Sequence, residues 1–266
     1  LDLAKNQYPN NMLINYQECL MCNFIGRQET LPKNREIIKE LGLSFGGTWI
    51  SFECFEKGYE PSTINIKQVK ILIESLKNFY MMFRAIIEQG MKVNFEAGEV
   101  LTRHYDKDKK LYLNYPNQLM IPEKDYSIIA VNDEFEEDMM KLPQTEMEFE
   151  YEFLNYLPIK LKELKEKDGK IKFPRMRILA DRKSGYILMH DLIKDSDYKD
   201  EADYVFESLD KLIEFITKYG RPKEIYVRDE KTKALLSDLE SGIDIKMKLS
   251  PRLDAIDGAY DPFDNV

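Results

Sequence analysis

The stretch from Pro174 to Leu249 decides the fold of this chain; it begins PRMRILADRKSGYILM (174–189) and ends SGIDIKMKL (241–249). Two short apolar runs flank the turn residues Ser184 and Gly185, a pattern typical of a β-hairpin. At the far end, apolar and charged residues alternate up to Leu249, as in a strand that buries one face. The stretch therefore predicts a sheet with strands at both of its ends.

Two helices are predicted between these strands. Apolar side chains recur with a helical period at Val205, Leu209, Leu212, Ile213 and Ile216. This helix is predicted to end at Gly220, since Pro222 forbids its continuation. A short strand at Ile225–Val227 and a second helix at Leu235–Leu239 complete a ββαβαβ order. The hairpin is antiparallel and the crossovers favour parallel pairing, so we predict a small mixed sheet.

The composition excludes several classes of protein. The chain has 266 residues, 43% of them hydrophobic, and a net charge of −9. This length suits two domains, and the acidic balance argues against general binding of nucleic acid or anionic membranes. No apolar run approaches the length of a membrane span, and three cysteines are typical of a reducing cytoplasm. We therefore expect an acidic cytoplasmic protein.

We predict an α+β protein of two domains. The first spans 1–160 and the second 172–266, with a charged linker at 161–171. The longest helix, Ile64–Gln89, carries a wide apolar stripe and is predicted to be the main core element of the first domain. The other elements predicted for this domain are a helix at Asn34–Leu41, strands at Trp49–Phe55 and Tyr126–Val131, a hairpin at Val100–Tyr115 and an acidic connector at Asn132–Lys141.

The clearest strand pattern lies just before the linker. Met147, Phe149, Tyr151 and Phe153 alternate with four glutamates, Glu146, Glu148, Glu150 and Glu152. A row of carboxylates about 7 Å apart on one strand face has the geometry to bind a basic partner. The interpretation we favour is the solvated face of a half-buried strand.

Two possible metal sites are weak. Cys19 and Cys22 have zinc-knuckle spacing, and Cys54 with His104 would complete four ligands, but residues three apart on a strand face opposite sides. The carboxylates between Asp195 and Asp203 lack the glycine of a calcium loop. Buried structural cysteines and an acidic loop, with Asp203 at a helix N-terminus, are the interpretations we favour.

Asp181, Glu207 and Asp229 form the only catalytic hypothesis. They lie at the end of the first strand of the C-terminal stretch, on its first helix, and at the end of its third strand. This arrangement is similar to the ribonuclease-H-like fold, in which three carboxylates from such places hold two divalent ions for phosphoryl transfer. That fold has three strands before its first helix, whereas only two are predicted here. Turn and helix-cap roles are the ordinary alternatives for Asp181 and Asp229.

Several segments resemble a two-domain family of bacterial, Firmicutes-type proteins described only as domains of unknown function. They are Cys19–Cys22 with Gly26–Glu29, Ile37–Phe45, Trp49–Phe52, Lys57–Pro61, Ile178–Asp181 with Ser184–Gly185, and Gly220–Asp229. The resemblance implies a two-part intracellular protein. It implies no activity and no catalytic residues.

Three functional hypotheses follow. The leading one is a non-enzymatic intracellular binding or adaptor protein without cofactor or metal, whose partner is a protein rather than nucleic acid or membrane. The alternative is a metal-dependent ribonuclease-H-like nuclease, or a degenerate relative of one, which would use Mg²⁺ or Mn²⁺ at Asp181, Glu207 and Asp229. A third is a phage or mobile-element protein that engages a defence complex, in which the acidic surface mimics nucleic acid.

Overall fold

A computed structural model describes residues 15, 17–120, 125–157, 159, 164–165 and 169–260. Of the predicted linker at 161–171, residues 161–163 and 166–168 lie outside these residues. None of the helices in the described part of the chain combines the length and apolar character that a membrane crossing requires.

The chain divides into two compact units that are each discontinuous in sequence. The long-helix unit contains Leu20–Cys54 and Thr63–Asp125. The five-strand unit contains Leu1–Cys19, Phe55–Ser62 and Tyr126–Val266. These limits differ from the expected 1–160 and 172–266, because residues well before the linker fold with the C-terminal stretch.

The first part of the chain forms two small sheets and two helices. Its elements are β1 (Cys19–Ile25), α1 (Pro32–Glu40), β2 (Trp49–Phe55), β3 (Ser62–Thr63), α2 (Ile66–Gln89), β4 (Glu99–Asp106) and β5 (Leu111–Gln118). The first three strands form one sheet in the order β1-β2-β3, and β4 pairs with β5 as an antiparallel hairpin. The hairpin and the strand β2 lie where the sequence pattern predicted them.

The long helix α2 begins and ends at strong local signals. The Asn65 side chain accepts hydrogen bonds from the backbone N–H groups of Lys67 and Gln68, while the Gln68 side chain accepts from the Asn65 N–H. This reciprocal cap fixes the start of the helix, and Gly90 ends it at φ 66°. Only Leu72 and Ala85 of this helix are buried. The expectation that α2 is the main core element of its unit is therefore wrong.

The rest of the chain forms the five-strand unit. Its elements are α3 (Asp133–Met140), β6 (Glu148–Glu152), β7 (Arg175–Asp181), β8 (Ile187–Ile193), α4 (Glu201–Tyr219), β9 (Glu224–Val227), α5 (Glu230–Leu235), α6 (Ser237–Gly242), β10 (Lys246–Leu249) and α7 (Asp254–Tyr260). The sheet order is β10-β9-β6-β7-β8. The strands β6, β9 and β10 are parallel neighbours, whereas β7 is antiparallel to both β6 and β8. The predicted mixed sheet is confirmed.

The strand β6 was expected in the first domain, but it lies at the centre of this sheet. It pairs with β7 on one side and β9 on the other. The C-terminal order ββαβαβ is thus preceded by one more strand. This strand supplies the third strand before the first helix that the ribonuclease-H-like comparison lacked.

The sheet buries both of its faces. On one face, Phe149 and Tyr151 pack with Leu212 and Ile216 of α4 in the larger core cluster. On the other face, Ile178 packs with residues of α7 and its approach segment in a smaller cluster. Burying one such aliphatic or aromatic side chain contributes about 1.5–3 kcal/mol before conformational entropy is considered. The apolar stripe predicted for α4 is therefore a core face.

Two predictions for residues 126–141 are wrong. Residues 126–131 form no strand; the Ile129 and Val131 backbone N–H groups donate instead to the Leu235 carbonyl and the Asp238 carboxylate, at 3.4 and 2.7 Å. The expected acidic connector contains the helix α3, and Asn132 accepts a hydrogen bond from the Phe135 N–H at 2.8 Å. Carboxylates in the first turn of a helix are favoured by its dipole, so the acidic run assists the helix.

Candidate functional site

Asp181 forms a turn rather than a metal site. It ends β7, and its Oδ1 accepts hydrogen bonds from the Ser184 N–H and hydroxyl at 2.7 and 2.5 Å. These hydrogen bonds lower the pKa of Asp181 from its ordinary value. The carboxylate therefore performs the turn role given above as its ordinary alternative.

Asp229 and Glu207 also have structural partners. Asp229 caps α5, because its Oδ1 accepts from the Thr232 N–H at 2.8 Å. Glu207 lies on α4, where its Oε1 is 2.9 Å from Nη2 of Arg177. The arginine is 3% exposed and also pairs with Asp191 of β8. Each carboxylate thus stabilises a local element.

The strand register keeps Asp181 apart from Asp229. Asp181 is level with Phe149 and Ile225, whereas Asp229 follows four residues after Ile225, towards the opposite end of the sheet. Four residues of rise and two strand spacings separate Asp181 from Asp229 by roughly 16 Å, against about 4 Å between two catalytic metal ions. Among the described residues, no group of three or more His, Cys, Asp or Glu side chains could hold a metal ion.

The cysteines are free thiols in different environments. Cys19 is exposed, Cys22 is partly buried and Cys54 is buried. The Cys54 sulfur accepts a hydrogen bond from the Gln68 side chain at 3.0 Å. Burial raises the pKa of the Cys22 thiol, which disfavours the thiolate that zinc binds.

The glutamates of β6 do not form a solvated face. Glu150 and Glu152 are 0% and 2% exposed, beneath α7. Glu150 pairs with Arg182 at 2.9 Å and accepts hydrogen bonds from the N–H groups of Ala255 and Ile256, at 2.9 and 3.2 Å. Burial raises the pKa of Glu150 despite these contacts. The interpretation of a solvated row is therefore wrong for Glu150 and Glu152, whereas the Glu146 side chain is 83% exposed.

The densest charged cluster lies at the carboxyl end of β6 and β9. Arg175 is 7% exposed at the start of the antiparallel β7, so its side chain is at this same edge. It donates to Asp195 Oδ1 at 2.9 Å, to the Tyr156 hydroxyl at 2.7 Å and to the Leu154 carbonyl at 3.0 Å. The Tyr156 hydroxyl in turn donates to Asp195 at 2.8 Å. The guanidinium is held in a closed network.

The network sets the protonation of its members. Burial alone would raise the pKa of Asp195, but the charge of Arg175 and hydrogen bonds from Lys172 and Tyr156 outweigh it, and the pKa is lowered. Burial raises the pKa of Tyr156 well above its ordinary value. Asp195 is therefore ionised and Tyr156 is protonated at neutral pH.

A second group of charges adjoins Arg175. Glu201, in the first turn of α4, lies 3.0 Å from Nζ of Lys231 and 3.7 Å from Nη1 of Arg175. The ammonium of Lys57 lies in the field of the same groups: burial and the charges of Lys231 and Arg175 lower its pKa, while Glu201 and Asp229 raise it. The net effect lowers the pKa of Lys57.

The Lys57 loop is fixed against the sheet. Gly58 adopts φ 79°, and a Cβ on it would lie 2.6 Å from Cζ of Tyr156. Its carbonyl accepts a hydrogen bond from the Phe173 N–H at 2.7 Å. Only a glycine allows this close approach to the tyrosine ring, and the loop holds Lys57 where the charge of Arg175 acts on its ammonium.

These elements enclose a cleft of about 180 Å³, here called the carboxyl-edge cleft. Its lining residues are Arg175, Asp195, Tyr198, Lys199, Asp200, Glu201 and Tyr204. In open α/β sheets, ligands bind outside the carboxyl ends of the strands. The position and charge of this cleft make it the candidate binding site of the five-strand unit.

The sequence patterns missed most of this site. The loop at Asp195–Asp203 was singled out for its carboxylates, but nothing in the sequence linked Asp195 to Arg175, 20 residues away. Glu207 was the predicted site residue on α4, whereas Glu201 of the same helix lines the cleft. The glycine at 58 was the one local signal, because it marks a backbone position where a side chain is excluded.

Two family models match the chain. Residues 137–264 match one described as Domain of unknown function (DUF6930), and residues 1–103 match one described as Domain of unknown function (DUF7309). The first of these matches includes all five strands of the large sheet, β6 among them. No curated protein and no solved structure matches the chain. The two matches together support a two-domain family of unknown function, in agreement with the resemblance seen in the sequence.

Proposed function

We propose that the protein is a non-enzymatic binding or adaptor protein of the bacterial cytoplasm, and that its carboxyl-edge cleft binds an anionic group of a partner protein. The free thiols of Cys19, Cys22 and Cys54 suit a reducing compartment. The net charge of −9 argues against nucleic acid as the partner.

One observation carries this proposal: two carboxylates at the cleft, Asp195 and Glu201, are already paired with protein cations. Asp195 pairs with Arg175 and with Lys172, at 2.9 and 3.0 Å, and Glu201 pairs with Lys231. A divalent cation would have to displace these ion pairs before it gained its oxygen ligands. The arrangement is better suited to a ligand that the cations attract.

Lys57 supports an anionic ligand in particular. Burial, followed by the charges of Lys231 and Arg175, lowers the pKa of its ammonium. A carboxylate or phosphate placed beside these cations would relieve their mutual repulsion and raise the pKa of Lys57. Binding is then expected to take up protons at alkaline pH, where Lys57 is partly deprotonated in the free protein.

The proposal is tested by calorimetric titration with a glutamate-rich peptide and with inorganic phosphate. Lys57→Gln is expected to weaken binding of the peptide at least several-fold, since it removes a positive charge that acts on the same groups as Arg175 and Lys231 at the cleft. Lys211→Gln is the matched control, because Lys211 pairs with Glu214 on the exposed face of α4. Binding that is absent, or equally strong in Lys57→Gln, would contradict the cleft as an anion site.

A second candidate function is the nuclease, or a degenerate relative of one. The observation that favours it is β6, which completes the three strands before α4 on which the ribonuclease-H-like comparison depends. A degenerate relative keeps such a fold for binding after its carboxylates have been replaced by ion pairs. Nuclease turnover with Mg²⁺ or Mn²⁺ that is abolished by Asp229→Asn would favour the enzyme over the binding protein.

A further inference from the structure

We propose that α2 is a dimerisation helix, which pairs in parallel with α2 of a second copy of this chain. The proposal concerns a surface of the long-helix unit and is independent of the carboxyl-edge cleft. The surface, here called the α2 stripe, consists of Ile66, Val69, Ile73, Leu76, Tyr80, Phe83 and Ile87.

The α2 stripe has the spacing of a coiled coil. Its members follow one another by three and four residues in alternation, which is a seven-residue repeat sustained for three repeats. A helix that packs on a sheet of its own domain needs only a broad face of period 3.6. The repeat of 3.5 matches packing against another helix, while further apolar residues of α2, Ile71, Met81 and Met82 among them, lie outside it.

The stripe is exposed, although other parts of the helix contact their own unit. Ile66, Tyr80 and Ile87 are 69%, 59% and 66% exposed. Asn78, on a different face, accepts a hydrogen bond from Nε of Arg103 in β4 at 2.9 Å. The helix thus packs against the hairpin with one face and presents the stripe on another.

The exposed area is that of a dimer interface. Six stripe side chains and the adjacent Phe79 are between 40% and 69% exposed. With about 150–250 Å² for each large side chain, they present on the order of 700 Å² of apolar surface. This approaches the roughly 800 Å² that each partner buries in a stable interface and exceeds the patches typical of monomers.

The flanking residues favour a parallel alignment. One edge of the stripe carries Lys70, Lys77 and Arg84, and the other carries Phe79 and Ile86, while Leu72 on that side is buried in its own unit. An antiparallel pair would place two basic edges against each other. In a parallel pair each basic edge lies along the apolar edge of the partner, where lysine and arginine stems cover apolar surface. A second copy in parallel therefore gives a closed two-fold interface.

The first test is sedimentation equilibrium of the full chain from about 1 to 100 μM. We expect a wild-type dimer and a monomer for Leu76→Glu/Phe83→Glu, with the helical circular dichroism retained. Met81→Glu is the matched control, since Met81 is 42% exposed on α2 but lies off the stripe. A monomeric wild type, or a dimer that survives the double substitution, would overturn the proposal.

Cross-linking tests the alignment without relying on a destabilised variant. In a background with Cys19, Cys22 and Cys54 replaced, Ile73→Cys is expected to form an intermolecular disulfide under mild oxidation, because equivalent positions meet in a parallel pair. Glu74→Cys, one residue off the stripe, serves as the control. Equal cross-linking of both variants, or of neither, would contradict a parallel α2 pair.

Discussion

Arg228 and Glu152 form an ion pair in the interior of the five-strand unit, with Nη2 of the arginine 2.7 Å from Oε2 of the glutamate. The two side chains are 0% and 2% exposed. Arg228 also donates to the Pro251 carbonyl at 2.7 Å and contacts Asp257 of α7. One guanidinium therefore joins the end of β6 to the C-terminal helix.

Substitution of Arg228 by Met is expected to destabilise the protein by about 3–5 kcal/mol, because it leaves a buried carboxylate without its cation. Urea denaturation of the wild type and the variant measures this loss. The matched surface substitution is Lys211→Met, because Lys211 pairs with Glu214, whose side chain is 65% exposed. It is expected to change the free energy of unfolding by no more than about 1 kcal/mol.

The double variant Arg228→Met/Glu152→Met separates the charge from the packing. Replacing both members of a buried ion pair by apolar residues is often neutral, so the double variant is expected to be more stable than Arg228→Met alone. A double variant that loses the sum of the two single effects would show that the pair itself contributes little.

Gly58→Ala is expected to cost about 2–4 kcal/mol, the sum of a left-handed backbone penalty and a clash with a packed ring. Gly58 has φ 79°, and its Cβ would lie 2.6 Å from Tyr156. Gly185→Ala is the control, since Gly185 has φ 75° with nothing within 4 Å of its Cβ position. Equal losses of stability in the two variants would show that the clash with Tyr156 adds nothing to the backbone penalty.

Local sequence patterns predicted the helices and strands better than they predicted which strands pair with each other. The alternation from Met147 to Phe153 identified β6, because a strand with a buried face has period two. Its place beside β9, with Glu148 opposite Glu224, is a pairing over a long sequence separation. No local pattern encodes such a pairing. The strand was therefore assigned to the first domain, although it belongs to the five-strand sheet.

The burial of Glu150 and Glu152 illustrates the same limit. A carboxylate is normally exposed unless a cation meets it, and the cations here are Arg182 and Arg228, 32 and 76 residues away. The opposite error occurred at α2, whose apolar stripe was taken for a core face. Hydrophobic periodicity identifies the apolar face of a helix, but it does not identify what that face packs against, or whether the partner belongs to the same chain.

Asp195 is expected to make stability depend on pH in the acidic range. Its pKa in the folded protein is lowered from the ordinary value, mainly by Arg175 and by hydrogen bonds that outweigh burial. The carboxylate therefore stabilises the fold above its unfolded pKa of about 3.9, and this contribution is lost as the pH falls through the folded pKa. The stability difference between wild type and Asp195→Asn is expected to be constant near neutrality and to shrink below about pH 4.

Denaturation at a series of pH values measures this difference, with Asp197→Asn as a control in the same loop. Asp197 accepts only a long hydrogen bond, at 3.3 Å from the Lys194 N–H. A difference between wild type and Asp195→Asn that grows towards acid pH would contradict the assigned role of the Arg175 network.

Asp229→Ala tests whether this carboxylate is a helix cap or a metal ligand. As the cap of α5, Asp229 accepts from the N–H and the hydroxyl of Thr232 at 2.8 and 3.1 Å. Its removal is expected to cost about 1 kcal/mol of stability, whether or not divalent ions are present.

Thermal melting of the wild type, Asp229→Ala and Asp181→Ala with increasing Mn²⁺ measures both the loss of the cap and any binding of metal. Since Asp181 and Asp229 lie at opposite ends of the sheet, we expect no metal-dependent rise in melting temperature that either substitution abolishes. Such a rise, lost in Asp229→Ala but kept in Asp181→Ala, would instead assign a metal site that includes Asp229 and excludes Asp181.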